Sequence, residues 1–351
     1  MSIHISTLCA AAILLACVHA GVGAAESCGK PGTIKGKKGD DFIELKTRVF
    51  ADGSIAVRAP LAVNPDGGPG SYTVGNHGFT YIANGLARWR NGAREKCDSA
   101  CSDSFKAAEK AGFAKGTDEF CVFAMTVEPV EPGKAKVQCT RGEVVGNGKG
   151  QLALGEVLPA IGGSTVQAYT STTSLQHLVG GKGVYLNSET LPIAVTPSAD
   201  LLGRAVWVSG AGMTATFAVV GDAGPAFGEG SIALHQLLRR GAVARQSVGP
   251  IPVDKRCQAG ETGLTAPFQS RPDGGTADRC RAGYTAKTVS DVRAYTGIDQ
   301  SIDFVILGAA AFERKGNTIQ SEVTADAIQR LAVVAGYTDA KIKQMISCLA
   351  K

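Results

Sequence analysis

Helical spacing of apolar residues is clear in only two stretches. From Ser102 to Phe113 the residues Phe105, Ala108 and Phe113 share a face, and from Thr324 to Leu349 a longer pattern is interrupted around Gly336. Elsewhere short apolar runs dominate: Phe120 to Val127, Val166 to Tyr169, Leu191 to Val195, Ala205 to Val208, Thr216 to Val220 and Asp303 to Leu307. Gly, Pro, Asn or Asp bounds them, and Phe42 to Phe50 adds another strand-like segment. The pattern predicts a mainly β fold with a few peripheral helices, of the α+β class. Glu26 to Asp41, rich in Gly and Lys, reads as a loosely held arm. Arg245 to Tyr295 lacks apolar periodicity and reads as a long excursion stapled by Cys257 and Cys280.

The N-terminal residues stand apart. No Lys, Arg, Asp or Glu occurs before Glu26, and an apolar run from Leu8 to Val18 is followed by small residues up to Ala25. This predicts a secretory signal peptide over residues 1–25, cleaved near Ala25, and a secreted or periplasmic protein. The run is too short to cross about 30 Å of hydrocarbon, and no other segment is long enough, so no membrane span is expected. Of ten cysteines, eight remain beyond the leader: Cys28, Cys97, Cys101, Cys121, Cys139, Cys257, Cys280 and Cys348. In an exported chain they predict disulfides. Zinc competes only at Cys97 and Cys101, which lack a second pair at matching spacing.

Composition removes several classes. With 36 Lys+Arg against 31 Asp+Glu the net charge is +5, and 44% hydrophobic residues supply ample core material, which excludes a disordered chain. The 45 glycines show no period of three, so they are turn and strand-end punctuation. Basic residues are scattered rather than interleaved with aromatics, and no nucleic-acid partner is expected. His77, His177 and His235 are isolated, and no metal or cofactor is expected.

The segment from Phe217 to Leu238 carries the clearest chemistry. A strand enters a turn fixed by Gly221, Gly224, Pro225, Gly228 and Gly230, and Ser231 can cap a following helix. Asp222 and Glu229 lie seven residues apart on that turn. Glycosidic hydrolysis needs such a pair, one protonated to supply the leaving oxygen and one ionised to activate water or attack carbon. The same two residues could instead order the turn and favour the helix N-terminus. Phe227 beside Glu229 would raise its pKa and the helix would lower it, which leans toward Glu229 as acid and Asp222 as base.

Other segments extend the pattern: Tyr169-Thr-Ser171-Thr172-Thr173, Tyr185-Leu-Asn187-Ser188-Glu189-Thr190-Leu-Pro192, Asp66-Gly-Gly-Pro69, and Gly78-Phe-Thr-Tyr81-Ile-Ala-Asn84. Together with the acid loop, these resemble the motifs of glycoside hydrolase family 75, the chitosanases, in the same order over about residues 42–310. The resemblance implies a six-stranded double-psi β-barrel-like core and endo-hydrolysis of β-1,4 linkages in chitosan with inversion. It implies Asp222 and Glu229 as the catalytic pair. This sequence departs from the family by about two fewer residues between the acids. Tyr169, Ser171, Thr172 and Thr173 are candidates to offer hydroxyls or a ring face to a sugar, and Glu189 to meet a glucosamine ammonium. Asp66 reads as a turn residue.

The expected organisation is then a leader, the arm over residues 26–41, and one catalytic domain over 42–312 with insertions near 86–160 and 240–298. A C-terminal helical extension over 313–351 packs on it. The partner is a polysaccharide, chitosan or a related amino-sugar polymer, and the protein is expected to be monomeric. A net positive charge repels a polycationic substrate unless the acids form a local cleft, so peptidoglycan glycan strands are the alternative substrate. A non-catalytic polysaccharide-binding barrel is the alternative of another class.

Overall fold

The computed structural model describes residues 28–38, 41–68, 72–73, 86–97, 99–123, 125–140, 142–153, 157–159, 165–169, 171–243 and 298–350. The expected signal peptide, the Cys257–Cys280 excursion, His77 and the Tyr81 to Asn84 motif lie outside the described residues.

The arm is a correction. Lys30–Lys38 forms a regular strand, β1, paired antiparallel along its whole length with β2, Asp41–Val49. The two form a hairpin that continues into β3, Ile55–Val63, through Thr47↔Val57 to Val49↔Ile55. The remaining core strands are β4 (Ile193–Thr196), β5 (Arg204–Gly210), β6 (Thr216–Ala223), β7 (Glu229–Gly230) and β8 (Ile298–Ala311).

Their order around the sheet is β3-β7-β4-β6-β5-β8, and β8 returns to β3, closing a six-stranded mixed β-barrel of the expected kind. The β3–β7 and β4–β6 pairs are parallel, and the other four are antiparallel. Closure removes the unpaired strand edges that an open sheet would expose. Val57, Leu61, Val206, Val208, Val220, Phe227, Phe304 and Ile306 are fully buried within the barrel's apolar cluster. The protein is thus mainly β, with four helices among the described residues.

Helix α1 is Ser99–Lys110, within residues 86–153, which build a second apolar cluster around Phe105, Phe113 and Phe120. Disulfides Cys97–Cys101 and Cys121–Cys139 brace this part. The Cys97-Cys101 spacing therefore serves a disulfide and not zinc. Helix α2, Ile232–Arg240, begins where expected, with Ser231 Oγ accepting from Leu234 N. The C-terminal pattern forms α3, Ala325–Val334, and α4, Asp339–Ser347, capped by Thr324 and Thr338. Gly336, with φ of 78°, turns the chain between them. A third disulfide, Cys28–Cys348, ties the end of α4 to the start of the β1–β2 hairpin. Tyr337 Oη further clamps the helices to the barrel, within hydrogen-bond distance of Ser54 Oγ at 2.9 Å, Asp52 Oδ2 at 3.0 Å and Ala309 N at 3.0 Å. Disulfides fit an oxidising compartment, extracellular or periplasmic. Among the described residues no helix is long and apolar enough to cross a membrane.

Candidate active site

The two expected acids sit at the end of β6 and the start of β7, the strands on either side of β4 in the barrel wall. In the β4–β6 pair the register steps from Ala194↔Val220 to Val195↔Asp222, leaving Gly221 as a bulge. A bulge bends its strand and re-aims the side chain that follows. Gly221 is required there, because a Cβ would lie 2.6 Å from Leu186 Cδ1 and 2.8 Å from Ile193 Cγ2. The Gly221 carbonyl accepts from Leu175 N, which draws the Ser171 to Leu175 segment across the end of β6.

This contact places Ser174 on Asp222. Asp222 Oδ1 accepts from Ser174 N at 2.8 Å, Ser174 Oγ at 2.6 Å and its neighbour Ala223 N at 2.9 Å. Among the described residues Oδ2 accepts only from Asn64 Nδ2, at 3.2 Å. Asn64 cannot flip, since its Oδ1 accepts from Asp66 N at 2.8 Å and so fixes the amide nitrogen toward Asp222. Asp222 is buried, and that desolvation pushes its carboxyl above the usual range; the four donors act against the shift without cancelling it.

Glu229 opens β7 opposite Ala62 of β3. Among the described residues no hydrogen bond reaches its carboxylate. A Cβ on Gly224 would lie 4.0 Å from Glu229 Oε2, so the bare glycine borders the carboxyl. Burial pushes the Glu229 pKa up, the Lys37 cation draws it down, and the Asp222 charge pushes it up again. Lys37 arrives from the hairpin once expected to be loose: Phe227 N donates to Lys35 O at 2.8 Å, and Gly36 bridges Phe227.

The remaining candidates divide. Ser171 Oγ donates to Asp66 Oδ1, and Gly67 N donates to Ser171 O at 2.7 Å, joining Ser171 to the Asn64 to Gly68 turn. Thr172 is exposed. Thr173 is buried: its Oγ1 donates to Leu175 O at 2.8 Å and accepts from Leu186 N at 3.1 Å. Its hydroxyl holds two segments together. Glu189 is also buried, beside Gly68, where a Cβ would stand 3.1 Å from Glu189 Cγ. Tyr169 ends a strand, Thr165–Tyr169, that pairs with Tyr72. Asp66, Glu189, Asp222 and Glu229 thus gather acidic groups around the Asn64 to Gly68 turn, with Lys37 as the nearby cation.

The described histidines, His177 and His235, take no part. His235 lies in the core with Nδ1 2.9 Å from Ser231 O and Nε2 3.1 Å from Leu61 O, and burial lowers its pKa to about 4. His177 Nδ1 accepts from Val323 N at 2.9 Å. Among the described residues no group of three His, Cys, Asp or Glu side chains could hold a metal ion. Reading the sequence alone overlooked Asn64, Ser174 and Lys37. The Asn-Pro-Asp-Gly-Gly turn signalled Asn64, and nothing local signalled the other two. No protein-family model matches the chain, and no curated protein matches it significantly.

Proposed function

We propose that this protein is an exported, inverting glycoside hydrolase, cleaved near Ala25, that cuts β-1,4 linkages of chitosan. The observation that carries the reading is the unlike surroundings of a buried carboxyl and a half-buried one that interact electrostatically. Desolvation raises both carboxyls, so the roles follow from what else surrounds each of them. Four donors favour the ionised form of Asp222. Glu229 has no donor among the described residues, and desolvation together with the Asp222 charge favours its protonated form against the opposing pull of Lys37.

Glu229 then gives its proton to the leaving glycosidic oxygen as the bond from the anomeric carbon breaks. A water attacks that carbon from the opposite face and loses its proton to Asp222 Oδ2, the oxygen with one donor. Products leave with inverted configuration, and exchange with solvent returns the proton to Glu229. The gathering of Asp66, Glu189, Asp222 and Glu229 supports a cationic polymer despite the net charge of +5. Lys37 beside Glu229 favours the second reading, peptidoglycan, whose peptide stems carry carboxylates. Reducing ends released from chitosan and from peptidoglycan, with the product anomer followed by NMR, separate the two. Release from neither polymer supports a binding-only barrel and overturns the enzyme reading.

A further inference from the structure

The hairpin beyond Ser174 carries a surface that the two acids do not use. Gln176–Val179 and Lys182–Tyr185 pair antiparallel with Gln176 opposite Tyr185, and Leu186 N donates to Leu175 O at 3.4 Å, extending the ladder toward Ser174. Side chains alternate across such a ladder. Leu175 and Leu186 are fully buried, so Gln176 and Tyr185, the next pair of the ladder, face the opposite side. Ser174, which holds Asp222, precedes Gln176 by two residues, so the Gln176–Tyr185 pair starts within about 7 Å of chain from the residue that grips Asp222.

Tyr185 is 43% exposed, and among the described residues no ring or cation packs on it. Phe42, also exposed, is by contrast covered by Lys35 Nζ, 3.9 Å from its ring centroid. A Cβ on Gly183 would fall 2.6 Å from Gln176 Oε1, so the Gln176 amide lies over a glycine next to the ring. An open aromatic face flanked by an amide matches one pyranose: carbon-bound hydrogens rest on the ring, hydroxyls meet the amide, and an ammonium gains from the π-face.

We propose that Tyr185 and Gln176 form a subsite for a further sugar ring of the substrate chain, on the Ser174 side of the acids. The subsite rests on the glycoside hydrolase reading and adds to it a specificity-determining platform. It lengthens the substrate the enzyme grips without touching the bond it breaks, so Tyr185 sets KM and leaves kcat unchanged.

The test is calorimetric titration of Glu229→Gln protein with a glucosamine hexasaccharide, beside KM and kcat of the otherwise wild-type enzyme on chitosan. Tyr185→Ala is expected to raise Kd and KM about fivefold, Tyr185→Phe to keep both within about twofold, and Val184→Ala, on the other face, to change neither. Unchanged Kd and KM in Tyr185→Ala, in an enzyme that cleaves chitosan, overturn the subsite alone. A wild-type protein that neither binds nor cleaves amino-sugar chains overturns the subsite together with the reading it rests on.

Discussion

Replacing Glu229 by Gln separates what the residue does for the fold from what it does for chemistry. The change is isosteric and removes one ionisable group. Because the carboxylate receives no hydrogen bond from the described residues, no donor is orphaned. What disappears is the cost of holding a charge in a buried position beside Asp222, less the attraction to Lys37. A folded-state pKa above the unfolded value means that the native state binds the proton more tightly. The penalty is therefore fully present above the folded pKa and is relieved as pH falls through it to the unfolded value. Removing such a strained functional group commonly stabilises by about 0.5–2 kcal/mol, or roughly 0.7–3 °C in a chain of this size. Calorimetry of the oxidised protein should show a higher Tm for Glu229→Gln at pH 7.5 and coincidence with wild type near pH 3.5. Turnover should fall by about 10²–10⁴. A variant less stable than wild type at neutral pH, or one that retains turnover, refutes the account of Glu229 as a desolvated acid.

Ser174→Ala removes one donor from Asp222 Oδ1, which raises the pKa of the base further. The acid limb of the pH–rate profile should move upward, with kcat reduced about tenfold and KM little changed. His235 is neutral in the fold at its pKa of about 4, against 6.5 for the free group. Its contribution to stability is therefore lost as pH falls from about 6.5 through about 4, and NMR of its ring should show no titration above pH 5. Replacing Cys28 and Cys348 together by Ser opens a loop of 320 residues, for which chain entropy gives a loss of about 6 kcal/mol, read by urea denaturation.

The parts legible in the sequence are those whose signals are local. Ser231 as a cap, Gly336 as a break between helices and the short strands bounded by glycines each follow from residues within one turn of themselves. Asp222 and Glu229 were legible because one loop presents both. Lys30–Lys38 was not, since its only large apolar residue is Ile34, and the strand exists through its pairing with β2 and its bond to Phe227. Strand β7 has two residues, too few to show a period. Thr173 and Ser174 are adjacent and chemically alike, yet one hydroxyl is consumed in packing and the other grips Asp222. Which partner a short hydroxyl finds depends on segments distant in sequence.

The closing strand pair and the clasp at the chain's ends set an order of events during synthesis. Strand β3 is made early, but its partner β8 begins at residue 298, and Cys28 waits for Cys348. A chain emerging from its N-terminus cannot seal its barrel until most of it has been delivered, which is the slow, long-range kind of folding. During that wait Cys28 is exposed to thiols that arrive sooner, Cys97 and Cys101 first among them. Efficient maturation therefore requires thiol–disulfide exchange that can undo an early pairing, and the yield of folded protein will follow the isomerase capacity of the host compartment.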